Sequence, residues 1–202
     1  SGLLIIDITD PSSPVLAGRY SYHMENYIYG VTVSGNYVYA VDSEADLQII
    51  DISNPTSPTL VGSYDTLGYA LSVTVSENYA YVAASTSGLQ ILDISNPASP
   101  TLAGSYNTPG YAYDITVSGN YAYLADGAEG LQIINITDST NPTLTGAYDT
   151  PDSAYGITVS NNYAFVADYE SGLQIINISN SSSPILTGSY DTPGEAMEVT
   201  VS

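Results

Sequence analysis

Cysteine is absent from the 202-residue chain, which excludes disulfides, thiolate metal sites and a cysteine nucleophile. Lysine and arginine together number 1, against 21 acidic residues, for a formal net charge of -20. A chain so poor in cations cannot neutralise phosphates, so nucleic acid is excluded as a partner and an anionic membrane surface is disfavoured. No apolar run approaches the ~18 residues that cross a bilayer, so no membrane insertion is expected. His23 is the single histidine and Arg19 the single basic residue, and both lie beside a short insertion. One imidazole without a cysteine or second histidine makes neither a metal site nor a triad. There is no glycine-rich phosphate loop, nucleophile elbow or zinc spacing. Paired carboxylates can hydrolyse glycosides, but here the acids recur with a repeat, which suggests scaffold roles. No enzyme activity is expected.

What is present is repetition. The run Leu-Gln-Ile-Ile-Asp-Ile recurs with small changes from Leu3, Leu47, Leu89, Leu131 and Leu173, first after 44 residues and then every 42. The two extra residues lie between Arg19 and Gly30. Pro14, Pro58, Pro100, Pro142 and Pro184 keep the same phase, as do Gly18, Gly62, Gly104, Gly146 and Gly188. Each unit reads as four short strands. Strand A is a Val/Ile-Thr-Val segment such as Ile115 to Val117. A two-residue turn such as Gly35-Asn36 or Gly119-Asn120 leads to strand B, as in Tyr79 to Ala83. Strand C is the Leu-Gln-Ile-Ile run, apolar on both faces as a strand between two sheets must be. Strand D is Thr-Leu-x-Gly-Ser-Tyr, whose glycine marks a bulge or a close backbone approach.

Four strands in roughly 42 residues is the signature of a β-propeller blade. A β-solenoid, the competing all-β architecture, would use shorter coils and fewer tight hairpins. The expected fold is an all-β propeller of about five four-stranded blades: a partial blade 1–29, blades 30–71, 72–113, 114–155 and 156–197, and a strand 198–202. The closing blade then lacks one strand, its strand B. Such a chain is expected either to be a window from a longer array or to leave unpaired edges that recruit another chain. The opening at Ser1, without methionine, suits a processed chain or an excerpt.

The units resemble the LVIVD repeat, found in large bacterial and archaeal cell-surface proteins. The motif stands here as Leu47-Gln48-Ile49-Ile50-Asp51, Leu89-Gln90-Ile91-Leu92-Asp93 and Leu3-Leu4-Ile5-Ile6-Asp7, while two copies end in Asn135 and Asn177. The resemblance covers essentially the whole chain. It implies propeller packing, an extracellular or cell-surface location and a scaffold role, and it carries no catalytic residue.

In a blade, the B–C and D–A loops share one end, and most acids fall there, including Asp42, Asp65, Asp126, Glu129, Asp168, Glu170, Asp191 and Glu195. The opposite end is rich in Asn, Ser and Pro. The acidic end would attract counter-ions diffusely, or bind Ca²⁺ specifically, with Asp42, Asp126 and Asp168 as candidate ligands. No segment matches an EF-hand or the glycine-rich nonapeptide calcium motif. Asp7, Asp51, Asp93, Asn135 and Asn177 share one position late in strand C, and the interchange of acid and amide points to hydrogen bonding of turn backbone. Among the 20 tyrosines, the strand B pairs (Tyr37 and Tyr39, Tyr79 and Tyr81, Tyr121 and Tyr123) read as packing. Tyr69, Tyr111 and Tyr155, near loops, are candidate ligand or partner contacts. Sequons begin at Asn135, Asn177 and Asn180, of which Asn180, in the C–D loop, is best placed for glycosylation. Two functions remain open: a surface protein that assembles with itself (into filaments, for instance), adheres or joins other surface domains, and a lectin-like module that binds glycans or cations.

Overall fold

The computed structural model describes residues 2–21, 27–42 and 46–201, with Asp46 described by its backbone alone. Among the described residues there are eighteen strands and no helix. β1 (Gly2–Asp7) pairs with β2 (Val15–Ser21) in a two-stranded sheet. Four four-stranded sheets follow. The first holds β3 (Ile28–Ser34), β4 (Tyr37–Asp42), β5 (Asp46–Asp51) and β6 (Thr59–Asp65). The second holds β7 (Ser72–Ser76), β8 (Tyr79–Ala83), β9 (Leu89–Asp93) and β10 (Thr101–Tyr106). β11 (Asp114–Ser118), β12 (Tyr121–Ala125), β13 (Leu131–Asn135) and β14 (Thr143–Tyr148) form the third. The fourth comprises β15 (Gly156–Ser160), β16 (Tyr163–Ala167), β17 (Leu173–Asn177) and β18 (Ile185–Tyr190). Every sheet is antiparallel, with sequence neighbours paired.

Local chemistry explains each meander. The A–B hairpins turn through a left-handed residue, Gly35, Glu77, Gly119 or Asn161, with φ between 53° and 57°. That conformation matches the right-handed twist of the flanking strands. The two middle strands are buried on both faces, whereas the fourth strand is half exposed. The first strands touch one another, β3 against β7, β7 against β11 and β11 against β15. Inner strands gathered about an axis, with outer strands at the rim, make the arrangement propeller-like.

Successive blades share one recurring joint. Tyr81, Leu89 and Ile91 of the second sheet pack on Ile115, Leu124, Ile134 and Ile136 of the third. Tyr39, Leu47 and Ile49 meet Val73, Val82, Leu92 and Ile94 in the same way, and Tyr123, Leu131 and Ile133 meet Ile157, Val166, Ile176 and Ile178. At the rim, the strand D glycine serves both purposes expected of it. The ladder shifts register beside Gly104 and Gly146, a bulge. A Cβ on Gly18, Gly62, Gly104 or Gly146 would collide with the carbonyl oxygen of Pro55, Pro97, Ser139 or Ser181, in the C–D loop of the next blade. The glycine is a socket for that loop.

Two expectations need correction. Among the described residues the sheets do not close into a ring of five blades, since the first sheet has two strands and the other four have four each. The expected strand 198–202 is also not formed over residues 198–201, and residue 202 lies outside the described residues. In every complete blade the first strand pairs with its own second strand. Residues 198–201 are followed by no such strand within the 202 residues, so they gain no ladder.

Candidate functional site

The strand C carboxylates and amides prove to be turn-formers. Oδ1 of Asp7, Asp51, Asp93, Asn135 and Asn177 accepts the backbone N–H two residues on, at 2.7–2.9 Å. An amide oxygen performs this task as well as a carboxylate, which is why the two interchange. Asp10, Asn54, Asn96, Asp138 and Asn180 repeat the same turn three residues later. The sequon position Asn180 is exposed and its side chain also accepts the Ser182 hydroxyl at 2.9 Å, whereas Asn135 and Asn177 are half-buried.

Asp42, Asp126 and Asp168 are buried, each at the end of strand B in a different blade. The structure does not bring them together. Among the described residues no three His, Cys, Asp or Glu side chains converge as a metal set requires. Asp126 instead clips its blade to the preceding linker: Thr108 Oγ1 donates at 2.5 Å and the Gly110 N–H at 2.9 Å. Asp168 accepts the Asp152 N–H at 3.1 Å, and Asp42 accepts Gln48 Nε2 at 2.9 Å. Burial pushes the carboxyls of Asp126 and Asp168 above the usual range, against the opposing help of these donors. Ala84 stands at the equivalent position of the second blade, and there Gln90 donates to the Leu67 carbonyl instead, at 2.8 Å.

A cavity of about 420 Å³ opens on the axis at the acidic end. Two repeat positions build it. One position, just before strand A or, for Tyr29, inside the start of its ladder, contributes Tyr29, Leu71, Tyr113, Tyr155 and Met197, a collar of mostly large rings and thioether. The next position contributes Gly30, Ser72, Asp114, Gly156 and Glu198. Asp114 ties three blades together: Oδ1 accepts Ser72 Oγ at 2.6 Å and its neighbour Ile115 N–H at 2.8 Å, and Oδ2 accepts the Ile157 N–H at 2.9 Å.

Of the candidate tyrosines, Tyr111 and Tyr155 are brought together through Tyr113. Ring centroids lie 6.4 Å apart between Tyr111 and Tyr113, and 4.5 Å between Tyr113 and Tyr155, both stacked. Tyr169 continues the row, 5.5 Å from Tyr155, and its hydroxyl donates to Glu195 at 2.6 Å. That bond to a carboxylate holds the Tyr169 phenol up at about 12. Tyr169 has φ 44° where the equivalent residue in the third blade is Gly127, so a bulky side chain is held in a conformation that favours glycine. Tyr69 is exposed on the linker between the first two complete blades. His23 lies outside the described residues.

Tyr113, Tyr29, Asp114, Glu198 and Tyr169 were not singled out by their sequence. The signal was there in the alignment of units. The column Gly30, Ser72, Asp114, Gly156, Glu198 changes chemistry at almost every copy, while its neighbours repeat.

The model of the LVIVD repeat matches residues 1–21, 25–66, 67–108, 109–150 and 152–192. The chain belongs to the LVIVD repeat family. Among solved structures, this LVIVD chain is similar to a functionally unknown protein from Desulfotomaculum acetoxidans, with TM-score 0.81 and 16% identity over 95% of this chain and 63% of that one. It is similar too to PpgL, the periplasmic gluconolactonase of Pseudomonas aeruginosa, with TM-score 0.82 and 11% identity over 96% of this chain and 65% of that one. The computationally designed Ika4 protein matches with TM-score 0.63 and 13% identity, over 77% of this chain and 93% of its own. The LVIVD chain thus spans less than two thirds of the length of the two natural proteins. At these identities the likeness is one of fold. No curated protein sequence matches the chain significantly.

Proposed function

We propose that this LVIVD chain is a non-enzymatic scaffold module of the cell surface or extracellular space that joins copies of itself head to tail. The observation that carries the reading is that the chain presents both halves of its own blade joint. On one side, Gly188 has nothing within 4 Å, although Gly62, Gly104 and Gly146 are each filled by a neighbour's loop. Beside it, Tyr190 is 67% exposed and Leu173 and Ile175 are only half-buried, against full burial of Leu131 and Ile133. On the other side, Ile6 is 46% exposed where Ile50, Leu92, Ile134 and Ile176 are all at 0%. Ile8 is 69% exposed where Ile94, Ile136 and Ile178 lie between 4% and 7%. The Pro11–Pro14 loop beside these residues is the counterpart of the loops that fill the other sockets.

The two halves are different surfaces that fit one another, which is the condition for a heterologous, head-to-tail contact. A second copy is the occupant with the right shape, because the same glycine socket is filled by a neighbouring loop at four internal joints. The excess of acid on the axial end does not oppose this, since the joint faces are apolar.

Sedimentation of the purified chain over a wide concentration range tests it. Association that grows with concentration is expected. Gly188→Ala blocks one half and Ile6→Asp the other, so neither variant assembles alone, yet their mixture forms a dimer and stops there. A parent chain that stays monomeric throughout, or variants that assemble as the parent does, would overturn the proposal. The lectin-like alternative is favoured by one observation, the row of tyrosines ending at Glu195, whose rings and polar edges suit a sugar.

A further inference from the structure

We infer that the axial cavity binds an organic ammonium group carried on an alkyl arm. Three features of the cavity lead there. Its wall is mixed, and the aliphatic part of it, Val31, Leu71, Val73 and Met197, lies with the rings of Tyr113 and Tyr155. Its charged groups are one-signed: Asp114 and Glu198 line it and no basic residue does. The only cationic side chain of the whole protein apart from its histidine is Arg19, on the outer strand of the first sheet, so the chain has no means of supplying a counter-charge here.

The state of Asp114 narrows the ligand further. A carboxylate offers about four acceptor positions. Three of them are taken, by Ser72 Oγ, Ile115 N–H and Ile157 N–H, so the group is fixed in place with one position of Oδ2 left over. Ca²⁺ and Mg²⁺ take six or more oxygens, and a carboxylate already committed to three donors cannot provide a bidentate ligand. Among the described residues no third acid joins Asp114 and Glu198 to make up a metal set. An anion would meet two negative charges. A neutral sugar would leave both charges uncompensated as it excluded water from them. A compact ammonium meets all the conditions. It donates to the remaining Asp114 position, pairs with Glu198, and is attracted by the negative faces of the tyrosine rings. Its methylene arm covers the apolar collar, as lysine stems do on other surfaces.

The ammonium has two sources, a free alkylamine and the lysine side chain of a peptide. The chemistry is shared, and the same titration separates them. The site stands apart from the head-to-tail joint, which involves neither the collar nor Asp114, so failure of one proposal leaves the other unaffected.

Calorimetric titration of the whole chain with n-hexylammonium chloride, with a blocked lysine peptide, with n-hexanol and with calcium chloride is the test. Saturable one-to-one binding of an ammonium probe is expected, weakening with salt, with n-hexanol giving none at the same concentration. The tighter of the two ammonium probes identifies the source. Glu198 is exposed, so Glu198→Gln leaves folding untouched and weakens binding by about tenfold, the loss of one charge-assisted hydrogen bond. Leu71→Lys supplies an internal ammonium and abolishes binding of the probes. n-Hexanol binding as tightly as the ammonium, an unchanged affinity in both variants, or displacement of the ammonium by equimolar calcium would each overturn the inference.

Discussion

Gly104→Ala is the most direct test of how the blades are joined. Gly104 does not hold a left-handed φ, so alanine is conformationally acceptable there and any cost is steric. The added Cβ would collide with the Ser139 carbonyl oxygen, and the Thr140 carbonyl carbon and oxygen stand at 3.0 Å. All of these are backbone atoms of a loop that is pinned by its own turn, with Asp138 Oδ1 accepting the Thr140 N–H at 3.0 Å. The loop cannot swing aside as a flexible side chain would, so the two blades must part by several tenths of an ångström along the rim. Overpacking of this kind costs about 1–3 kcal/mol. Restricting the unfolded chain returns roughly 0.4–1 kcal/mol. The net expectation is a loss of about 1–2 kcal/mol, or a fall of roughly 2–8 °C in Tm for a chain of this size. Gly188→Ala is the internal control: the same sequence position, the same strand, nothing within 4 Å. It is expected to be neutral or slightly stabilising, since glycine weakens a strand by about 0.5–1 kcal/mol relative to alanine. Urea unfolding followed by circular dichroism, at a concentration where the chain is monomeric, measures both. Equal effects of the two substitutions would refute the socket reading of the glycine.

Two further predictions rest on titratable and strained groups. Asp126 and Asp168 have raised folded-state pKa values, so the folded state favours their protonated forms and stability rises as pH falls from neutrality through those pKa values towards the unfolded value. Asp7, Asp10, Asp51, Asp93 and Asp138 are held low by hydrogen bonds to the side chain and backbone of a residue two positions on, so their contribution is present above the unfolded pKa and is lost below it. Melting temperature against pH should therefore pass through a maximum on the acid side of neutrality, and a monotonic fall from pH 7 downward would count against it. Glu77 holds φ 53° in a hairpin where Gly35 and Gly119 hold the same angle in other blades. Glu77→Gly is expected to stabilise by up to about 1 kcal/mol, measured by the same urea unfolding, and a loss would show that the glutamate side chain contributes something the turn geometry does not reveal.

The four-strand unit was legible because its determinants are local. Gly35-Asn36 dictates a hairpin, Leu-Gln-Ile-Ile a doubly buried strand, and the prolines after strand C a chain break. The Asp/Asn interchange gave away the turn role of Asp51 and Asn135 for the same reason. Closure was not legible, since it depends on curvature summed over sheets, and no single unit encodes the total. The axial cavity was hidden differently. Proximity to strand A places Tyr155 with Tyr69 and Tyr111, yet its register partners are Tyr113 and Tyr29, and Ser153 stands where Tyr69 and Tyr111 lead. A shift of two residues along an extended segment keeps the side chain on one face while moving it about 6–7 Å along the axis, and that distance separates a linker tyrosine from one in the collar.

Repetition itself explains where a function can reside. A joint between blades is made afresh at each step with one geometry, so its parts must be alike: the socket glycine, the loop proline, the aliphatic pairs of strands B and C. The axis is the one place where all the units converge on a common point. Equivalent residues there do not occupy equivalent, separate environments; they line a single cavity. Identical side chains at such a point would either crowd or repel, and five aspartates at the Asp114 position would place five charges round one axis with no basic residue to offset them. The sequence of that column, two glycines, a serine, an aspartate and a glutamate, avoids this, and in doing so makes the cavity asymmetric. The asymmetry lets Asp114 take a hydroxyl from one blade and an N–H from another, and leaves Glu198 exposed on the same cavity. In a chain built by copying, the specific chemistry is to be sought where the copies meet and have ceased to match.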